Sequence, residues 1–273
     1  MAKKVTNIFI ASFATFCSTK TMPTYKMINT FLTRRLFVVS TLFCGVVSSA
    51  TYANESQPAI TLLLIGDSTV ASYPNPPADR PDLTGWGQVL GEFFVEHVTV
   101  KNLAISGRSS KSYINEGHWK KALAEQPGYI FIQFGHNDMN GKGDHRATDP
   151  AGDYRDYLCT YIREARDIGA KPILVTPMTR RNFLDGKINA TLQPYADAMV
   201  IVGKAEKTPV VRLHQASVEL LNHLGDEGSA DFSPSKADRT HFSGKGARAM
   251  AQLVVDDLGT LVPELKSYFR NHR

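Results

Sequence analysis

The chain has 273 residues and a formal net charge of +5, from 31 basic and 26 acidic residues. Six of the basic residues and no acidic residue fall within residues 1–53, which leaves 25 basic against 26 acidic residues in 54–273. The larger part of the chain therefore lacks the basic excess that binding to phosphates requires, and we expect no nucleic-acid partner.

Residues 1–53 are typical of an N-terminal extension that ends in an export signal. Arg34 and Arg35 precede an apolar run over 36–47, and small residues follow as far as Ala53. This order indicates a cleaved secretory signal, delivered by either a Sec or a twin-arginine route. The run is short for a membrane span. We expect an exported protein, periplasmic or secreted, without stable membrane association after cleavage; a buried N-terminal anchor is the alternative.

From residue 58 onward, short apolar runs alternate with amphipathic helical patterns. The predicted strands are 60–65, 98–104, 129–134, 172–176 and 210–213. The predicted helices are 86–94, 118–125, 154–168, 192–204, 217–224 and 246–261. This alternation predicts βαβ units, and hence a parallel sheet covered on both faces in a three-layer α/β/α sandwich. We expect a single domain over 54–273, with its chemistry at the carboxyl ends of the strands.

Two strand-end or loop motifs supply a nucleophile and a base. Ser68 follows the first predicted strand beside a glycine, although a serine in that place is often only a helix cap. Asp238 and His241 are three residues apart, which places both side chains on one side of a turn. The carboxylate could then orient the imidazole as a general base, while a surface ion pair is the alternative.

Two further strand ends supply hydrogen-bond donors. Gly107 follows the second strand, and Asn137 follows the third. A backbone amide and a carboxamide at neighbouring strand ends are the donors that hold a developing oxyanion. Each of the two alone could be only part of a turn.

In this order and spacing, the motifs resemble the SGNH (GDSL-like) hydrolase family, whose four signature blocks contain Ser, Gly, Asn and His. The resemblance is closer still to its rhamnogalacturonan acetylesterase-like branch, carbohydrate esterase family 12. The similar blocks are 66–69, 102–113, 131–138 and 238–243. Arg239 stands where family members often carry Asn, which bears on the pH tuning of the neighbouring base.

The resemblance implies a flavodoxin-like, five-stranded parallel sheet and a serine esterase that needs no metal or other cofactor. Ser68 is expected to be the nucleophile, His241 the base and Asp238 the residue that orients it. The oxyanion donors are expected to be the amides of Ser68 and Gly107 and the side chain of Asn137. The implied substrate is an acetylated polysaccharide or oligosaccharide, with pectic rhamnogalacturonan foremost, and the enzyme is expected to act as a monomer.

Trp86, Arg108, His136 and Arg180 are candidate substrate contacts, and the two arginines fall in loops predicted at this edge of the sheet. An arginine there could pair with a galacturonate carboxylate, and a tryptophan could stack on a sugar. The alternatives are solvated surface charge for the arginines, simple packing for Trp86 and a structural hydrogen-bonding role for His136.

Two other functions remain open from the sequence alone. The chain could be a related esterase that acts on acetylated xylan, xylooligosaccharides or lipid esters. It could also be a catalytically silent carbohydrate-binding protein with the same fold.

Overall fold

A computed structural model describes residues 57–270, and a parallel five-stranded sheet lies at the centre of this part of the chain. The strands follow the order β2-β1-β3-β4-β7, and every neighbouring pair is parallel. A separate antiparallel hairpin joins β5 and β6. The strands are β1 Ile60–Gly66, β2 Val98–Asn102, β3 Tyr129–Gln133, β4 Lys171–Val175, β5 Phe183–Leu184, β6 Lys187–Ile188 and β7 Val210–Val211.

Helices cover both faces of this sheet. One layer contains α1 and α7 in contact with each other, and the other contains α2 and α3 together with α4 and α5. The α-helices are α1 Trp86–Val89, α2 Ser110–Asn115, α3 His118–Ala124, α4 Asp153–Asp167, α5 Gln193–Ala205, α6 Leu213–Gly228 and α7 Gly244–Leu261. Short 3-10 helices span Leu90–Phe93, Ala230–Phe232 and Pro263–Tyr268.

The composition of β1 explains its central position. Successive side chains of a strand point to opposite faces, and the four from Leu62 to Ile65 are all without solvent exposure. Leu62 and Leu64 belong to a large core cluster with Met250 and Val254 of α7. A strand buried on both faces reads as a continuous apolar run, as this one does.

The predicted α/β/α sandwich with five parallel strands is confirmed. The strand order corresponds to the flavodoxin-like arrangement, in which the order reverses beside the first strand. The structure adds α2 and the β5–β6 hairpin, which the sequence did not indicate, and it begins α6 at Leu213, four residues before the predicted start.

The predicted export signal lies outside the described residues. Within residues 57–270, none of the helices combines the length and the apolar character needed to cross a bilayer.

Candidate active site

Ser68 lies on a tight turn directly after β1. The buried carboxylate of Asp67 accepts hydrogen bonds from the Thr69 amide at 2.8 Å and the Thr69 hydroxyl at 2.7 Å. The amides of Val70 and Ala71 both donate to the Asp67 carbonyl at 3.1 Å. These bonds fix the backbone around Ser68, whose half-buried side chain lines a cleft at the carboxyl edge of the sheet.

A continuous hydrogen-bonded chain joins Ser68, His241 and Asp238. The Ser68 Oγ lies 2.9 Å from His241 Nε2, although the two residues are 173 positions apart. On the other side of the ring, His241 Nδ1 lies 2.9 Å from Asp238 Oδ2 and 3.1 Å from Oδ1. The sequence-predicted trio is therefore brought together in the order that lets the carboxylate orient the imidazole toward the hydroxyl.

The bend over 238–241 is held by Asp238 itself. Its Oδ1 accepts hydrogen bonds from the backbone amides of Thr240 at 3.0 Å and His241 at 2.9 Å. Burial alone would raise the pKa of Asp238, but these two amides and the neighbouring imidazole outweigh it and lower the pKa to about 2. The carboxylate is thus ionised throughout the neutral and mildly acidic range, as an orienting acid must be.

The loops that carry Gly107 and Asn137 meet beside Ser68. The Tyr73 hydroxyl donates to the Ser68 carbonyl at 2.7 Å and lies 2.8 Å from the Ser106 hydroxyl, which brings the segment before Gly107 against the serine turn. Within residues 57–270, the amides of Ser68 and Gly107 have no hydrogen-bond acceptor. Both are therefore free to donate to a ligand.

Asn137 is tied to the same loop. Its Nδ2 donates to the Arg108 carbonyl at 3.1 Å, which leaves the second hydrogen of the carboxamide for another acceptor. The next residue, Asp138, is buried and accepts hydrogen bonds from the Ser110 amide at 3.1 Å and the Thr148 hydroxyl at 3.0 Å. Asp138 thus joins the loop after β3 to the start of α2, and it fixes the separation between the candidate donors.

The cleft beside Ser68 has a volume of about 420 Å³ and a polar wall. Among the described residues that line the cleft, Met139 has the one apolar side chain and none carries a carboxylate. The lining residues are Ser68, His136, Asn137, Met139, Asn140, Lys142, Arg180, Asn182, Thr240 and His241.

Arg180 is the half-buried cation of this cleft. Its guanidinium donates to Met139 Sδ at 3.1 Å and to the His136 carbonyl at 3.2 Å. Among the described residues, no carboxylate lies within ion-pairing distance of Arg180; burial lowers the pKa of its guanidinium, and the more distant charge of Asp67 opposes this only in part. A half-buried positive charge without an ion-paired carboxylate favours an anionic ligand.

The structure places the other candidate substrate residues differently. Arg108 pairs with Glu116 at 2.8 Å and is absent from the cleft wall. The Trp86 indole is wholly buried and donates to Gln133 Oε1 at 3.0 Å, so a sugar has no exposed face on which to stack. The sequence-based expectation of substrate contacts at these two positions is therefore not supported, because a salt bridge holds the first and core packing holds the second.

His136 occupies an intermediate place. It lines the cleft, yet its side chain is only 2% exposed, and its Nδ1 lies 3.2 Å from Asp67 Oδ2. Burial alone would raise the pKa of Asp67, but its interactions with His136 and its hydrogen bonds from Thr69 outweigh this effect and lower it. The contact between His136 and Asp67 therefore helps to hold the turn that contains Ser68.

Sequence reasoning missed two residues that contact this site. Tyr73 joins the Ser68 and Ser106 segments, and Arg80 donates to Asp238 Oδ2 at 3.1 Å. Both belong to the segment 72–84, which has no regular secondary structure apart from a bridge at its end. A cluster of four prolines in this segment was the one available signal that it is an ordered loop.

A parallel α/β/α sandwich with a Ser–His–Asp hydrogen-bonded chain at the carboxyl edge of its sheet defines the class of serine hydrolases. Within that class, the chain belongs to the family of GDSL-like lipases/acylhydrolases, whose model matches residues 62–254. The chain is accordingly a carboxylic ester hydrolase, and the sequence-based assignment to the SGNH (GDSL-like) family is confirmed.

Relatives extend over most of the chain. It is 38% identical to the rhamnogalacturonan acetylesterase RhgT of Bacillus subtilis, over 77% of this chain and 94% of the relative. It is 36% identical to the probable rhamnogalacturonan acetylesterase YesY of the same species, over 73% and 93%. The crystal structure of Axe2, an acetylxylan esterase from Geobacillus stearothermophilus, superposes with a TM-score of 0.58 at 21% identity, over 74% and 95%. That last likeness concerns the fold alone.

Proposed function

We propose that this protein is a serine esterase that removes acetyl groups from a polysaccharide through an acetyl-Ser68 intermediate. The observation that carries the proposal is the 2.9 Å separation of Ser68 Oγ from His241 Nε2, with Asp238 on the far side of the ring. Neutral His241 accepts the Ser68 proton as the hydroxyl oxygen attacks the ester carbonyl. The negative charge on the resulting tetrahedral oxygen is held by hydrogen-bond donors.

The proposed donors are the amides of Ser68 and Gly107 and the free N–H of Asn137. When the tetrahedral intermediate collapses, the sugar oxygen leaves and takes the proton from His241. Water then attacks the acetyl-Ser68 carbonyl while His241 accepts its proton. When this second tetrahedral intermediate collapses, the bond to Ser68 Oγ breaks, His241 returns the proton to that oxygen, and acetate departs. The removal of one such donor typically costs about 100–1000-fold in turnover.

The wall of the cleft favours a small acyl group on a polar carrier. A long acyl chain gains its binding energy from apolar burial, and Met139 is the one apolar side chain in the part of the cleft that the structure describes. Asparagine side chains, in contrast, match the hydroxyl groups of a sugar, because a carboxamide both donates and accepts hydrogen bonds. This distinction supports an acetylated carbohydrate over a lipid ester.

We further propose that the carbohydrate carries carboxylates, as pectic rhamnogalacturonan does. The names of the two Bacillus relatives give the polymer, and Arg180, whose hydrogen bonds go to a thioether and a carbonyl, gives the physical reason. A guanidinium in the same cleft as the nucleophile, with no ion-paired carboxylate among the described residues, can pair with a uronate in the substrate.

Acetate release tests the reaction. The protein should release acetate from acetylated rhamnogalacturonan faster than from acetylated xylan, and it should hydrolyse p-nitrophenyl acetate faster than long-chain p-nitrophenyl esters. Ser68→Ala should abolish release, while Ser267→Ala, at an exposed serine far along the chain, should not. Acetate release that survives in Ser68→Ala would refute the proposal. The lack of any turnover or labelling by a serine-directed organophosphate would instead favour a silent carbohydrate-binding protein.

A pair of arginine variants tests the substrate charge. Arg180→Met should lower the ratio of kcat/KM on acetylated rhamnogalacturonan to that on p-nitrophenyl acetate by about 10–100-fold, as expected for a lost charge-assisted hydrogen bond. Arg108→Met is the matched control, because Arg108 pairs with Glu116 outside the cleft. An unchanged ratio in Arg180→Met would contradict a carboxylate-binding role.

We also propose that the protein is exported, on the strength of the pattern in residues 1–53. Amino-terminal sequencing of protein from the periplasm or medium should find a start near residue 51 or 54. Full-length protein retained in the cytoplasm would contradict export.

A further inference from the structure

Arg80 is presented to the candidate active site by an ordered, proline-rich segment, residues 72–84. At the end of this segment, the Thr84 amide donates to the Phe242 carbonyl at 2.9 Å, and the Gly244 amide donates to Asp82 at 3.1 Å. Two hydrogen bonds therefore hold this segment against the residues that directly follow His241. Prolines at positions 74, 76, 77 and 81 restrict its backbone further.

The guanidinium of Arg80 and the imidazole of His241 contact the same carboxylate oxygen of Asp238. Arg80 Nη1 lies 3.1 Å from Asp238 Oδ2, and His241 Nδ1 lies 2.9 Å from the same atom. The Asp238 side chain is 11% exposed and that of Arg80 is 29% exposed, so water screens the pair only in part. The other carboxylate near Arg80 is Asp79, which is 75% exposed and 3.6 Å away. Asp238 is thus the partner with which Arg80 interacts most strongly.

We propose that Arg80 is a positioning residue that extends ester hydrolysis to lower pH, an inference that rests on the proposed function. During acyl transfer His241 becomes an imidazolium beside the Asp238 carboxylate. The positive charge of Arg80 on the same carboxylate offsets part of the attraction that would stabilise this imidazolium. Protonation of His241 is therefore favoured less than it would be beside a lone carboxylate, and the neutral base persists further into acid. The same contact fixes the rotamer of Asp238.

Other charged and titratable groups around His241 are compatible with this role. On the segment of His241 itself, Arg239 forms an ion pair with Asp226, which partly neutralises its charge. Asp67 belongs to the turn that contains Ser68, and its carboxylate pairs with His136. Further groups near the site, among the described residues, are Tyr73 from the proline-rich segment and Lys142 and Arg180 from the wall of the cleft. None of these side chains shares a hydrogen-bonded oxygen with His241, as Arg80 does.

The pH profile of kcat/KM for p-nitrophenyl acetate tests the inference. In Arg80→Met, the acid limb should move upward by about half to one pH unit, because the positive charge that opposes imidazolium formation has been removed. In Arg80→Lys, which keeps the charge, the limb should stay close to its original position. Arg248→Met is the matched control: it removes an equal charge from a guanidinium that pairs with Glu92 on the surface of α7, and its limb should not move.

A loss of activity in Arg80→Met that is the same at every pH would overturn the inference, because it would indicate scaffolding alone. An unchanged profile would also overturn it. If Arg80→Met does not fold, Arg80→Gln provides the same comparison with a neutral polar side chain. A failure of the proposed function would look different, since Ser68→Ala would then retain hydrolysis whatever the Arg80 variants do.

Discussion

Replacing Asp238 with Asn tests the electrostatic design of the site through both stability and activity. The carboxylate accepts hydrogen bonds from two backbone amides, an imidazole and a guanidinium. Burial alone would raise the pKa of this carboxyl group, but the amides of His241 and Thr240 and the neighbouring imidazole outweigh it and lower the pKa from the ordinary value of 3.8 to about 2. A lowering of nearly two pH units corresponds to about 2 kcal/mol of folding free energy, since each unit is worth about 1.4 kcal/mol.

The sign of the pH dependence follows from the direction of that change. A carboxyl group with a lowered pKa in the folded state stabilises the fold above its unfolded-state pKa, and it loses this effect as the pH falls toward the folded-state value. Asp238→Asn should therefore lower the free energy of unfolding by about 2 kcal/mol at neutral pH and by roughly half as much near pH 3. Turnover should fall by about 10⁴-fold, as when other catalytic triads lose their ionised acid.

Urea unfolding followed by circular dichroism, at neutral pH and near pH 3, measures the first effect, and acetate release measures the second. Asp79→Asn is the matched control: it makes the same chemical change next to Arg80 but at a side chain that is 75% exposed, and it should alter neither quantity. A stability difference that did not shrink in acid would refute the electrostatic reasoning, as would an Asp238→Asn enzyme of normal activity.

Three further variants probe other parts of the site. Asn137→Ala should lower kcat by about 100–1000-fold with little change in KM, and a loss confined to KM would contradict its role as an oxyanion donor. Gly85→Ala places a Cβ 2.2 Å from the Ala71 carbonyl oxygen and should cost about 3 kcal/mol in thermal unfolding, whereas Gly91→Ala, with no atom nearer than 3.7 Å, should cost far less. Arg181→Met removes a buried guanidinium that donates to Ser229 and Ser233, and a loss of less than about 1 kcal/mol in unfolding would contradict its anchoring role.

The parts of the fold that were predictable are those with strong local patterns. β1 and β3 are short apolar runs that end at a glycine or a turn, and α4 has a long amphipathic pattern. The period and length of these hydrophobic patterns were enough to predict strands and a helix there. In contrast, α2 is six residues long, and its cap and first turn read Ser109-Ser110-Lys111-Ser112, a composition that suggests a loop. Its helix depends on a reciprocal hydrogen-bonded cap between Ser109 and Ser112, which propensity alone does not indicate.

The meeting of Ser68 with the loops after β2 and β3 was predictable for a topological reason. Parallel strands end at one edge of a sheet, so residues that follow different strands gather there whatever their separation in sequence. His241 is not covered by this rule, because it lies between a 3-10 helix and α7 rather than after a strand, and its place beside Ser68 was expected from the resemblance of the signature blocks. The contact of Arg80 with Asp238 has no comparable rule, since it joins a loop without regular structure to a bend 158 residues later. The prediction that Trp86 contacts substrate was wrong for a different reason. Its motif lies near the active edge of the sheet, but its side chain is buried in the core.

Mass spectrometry of the protein quenched during turnover of p-nitrophenyl acetate tests the central claim most directly. Peptide mapping should find one acetyl group on the peptide that contains Ser68, and Ser68→Ala should carry none. Acetylation of a different residue, with Ser68 unmodified and hydrolysis intact, would contradict the account.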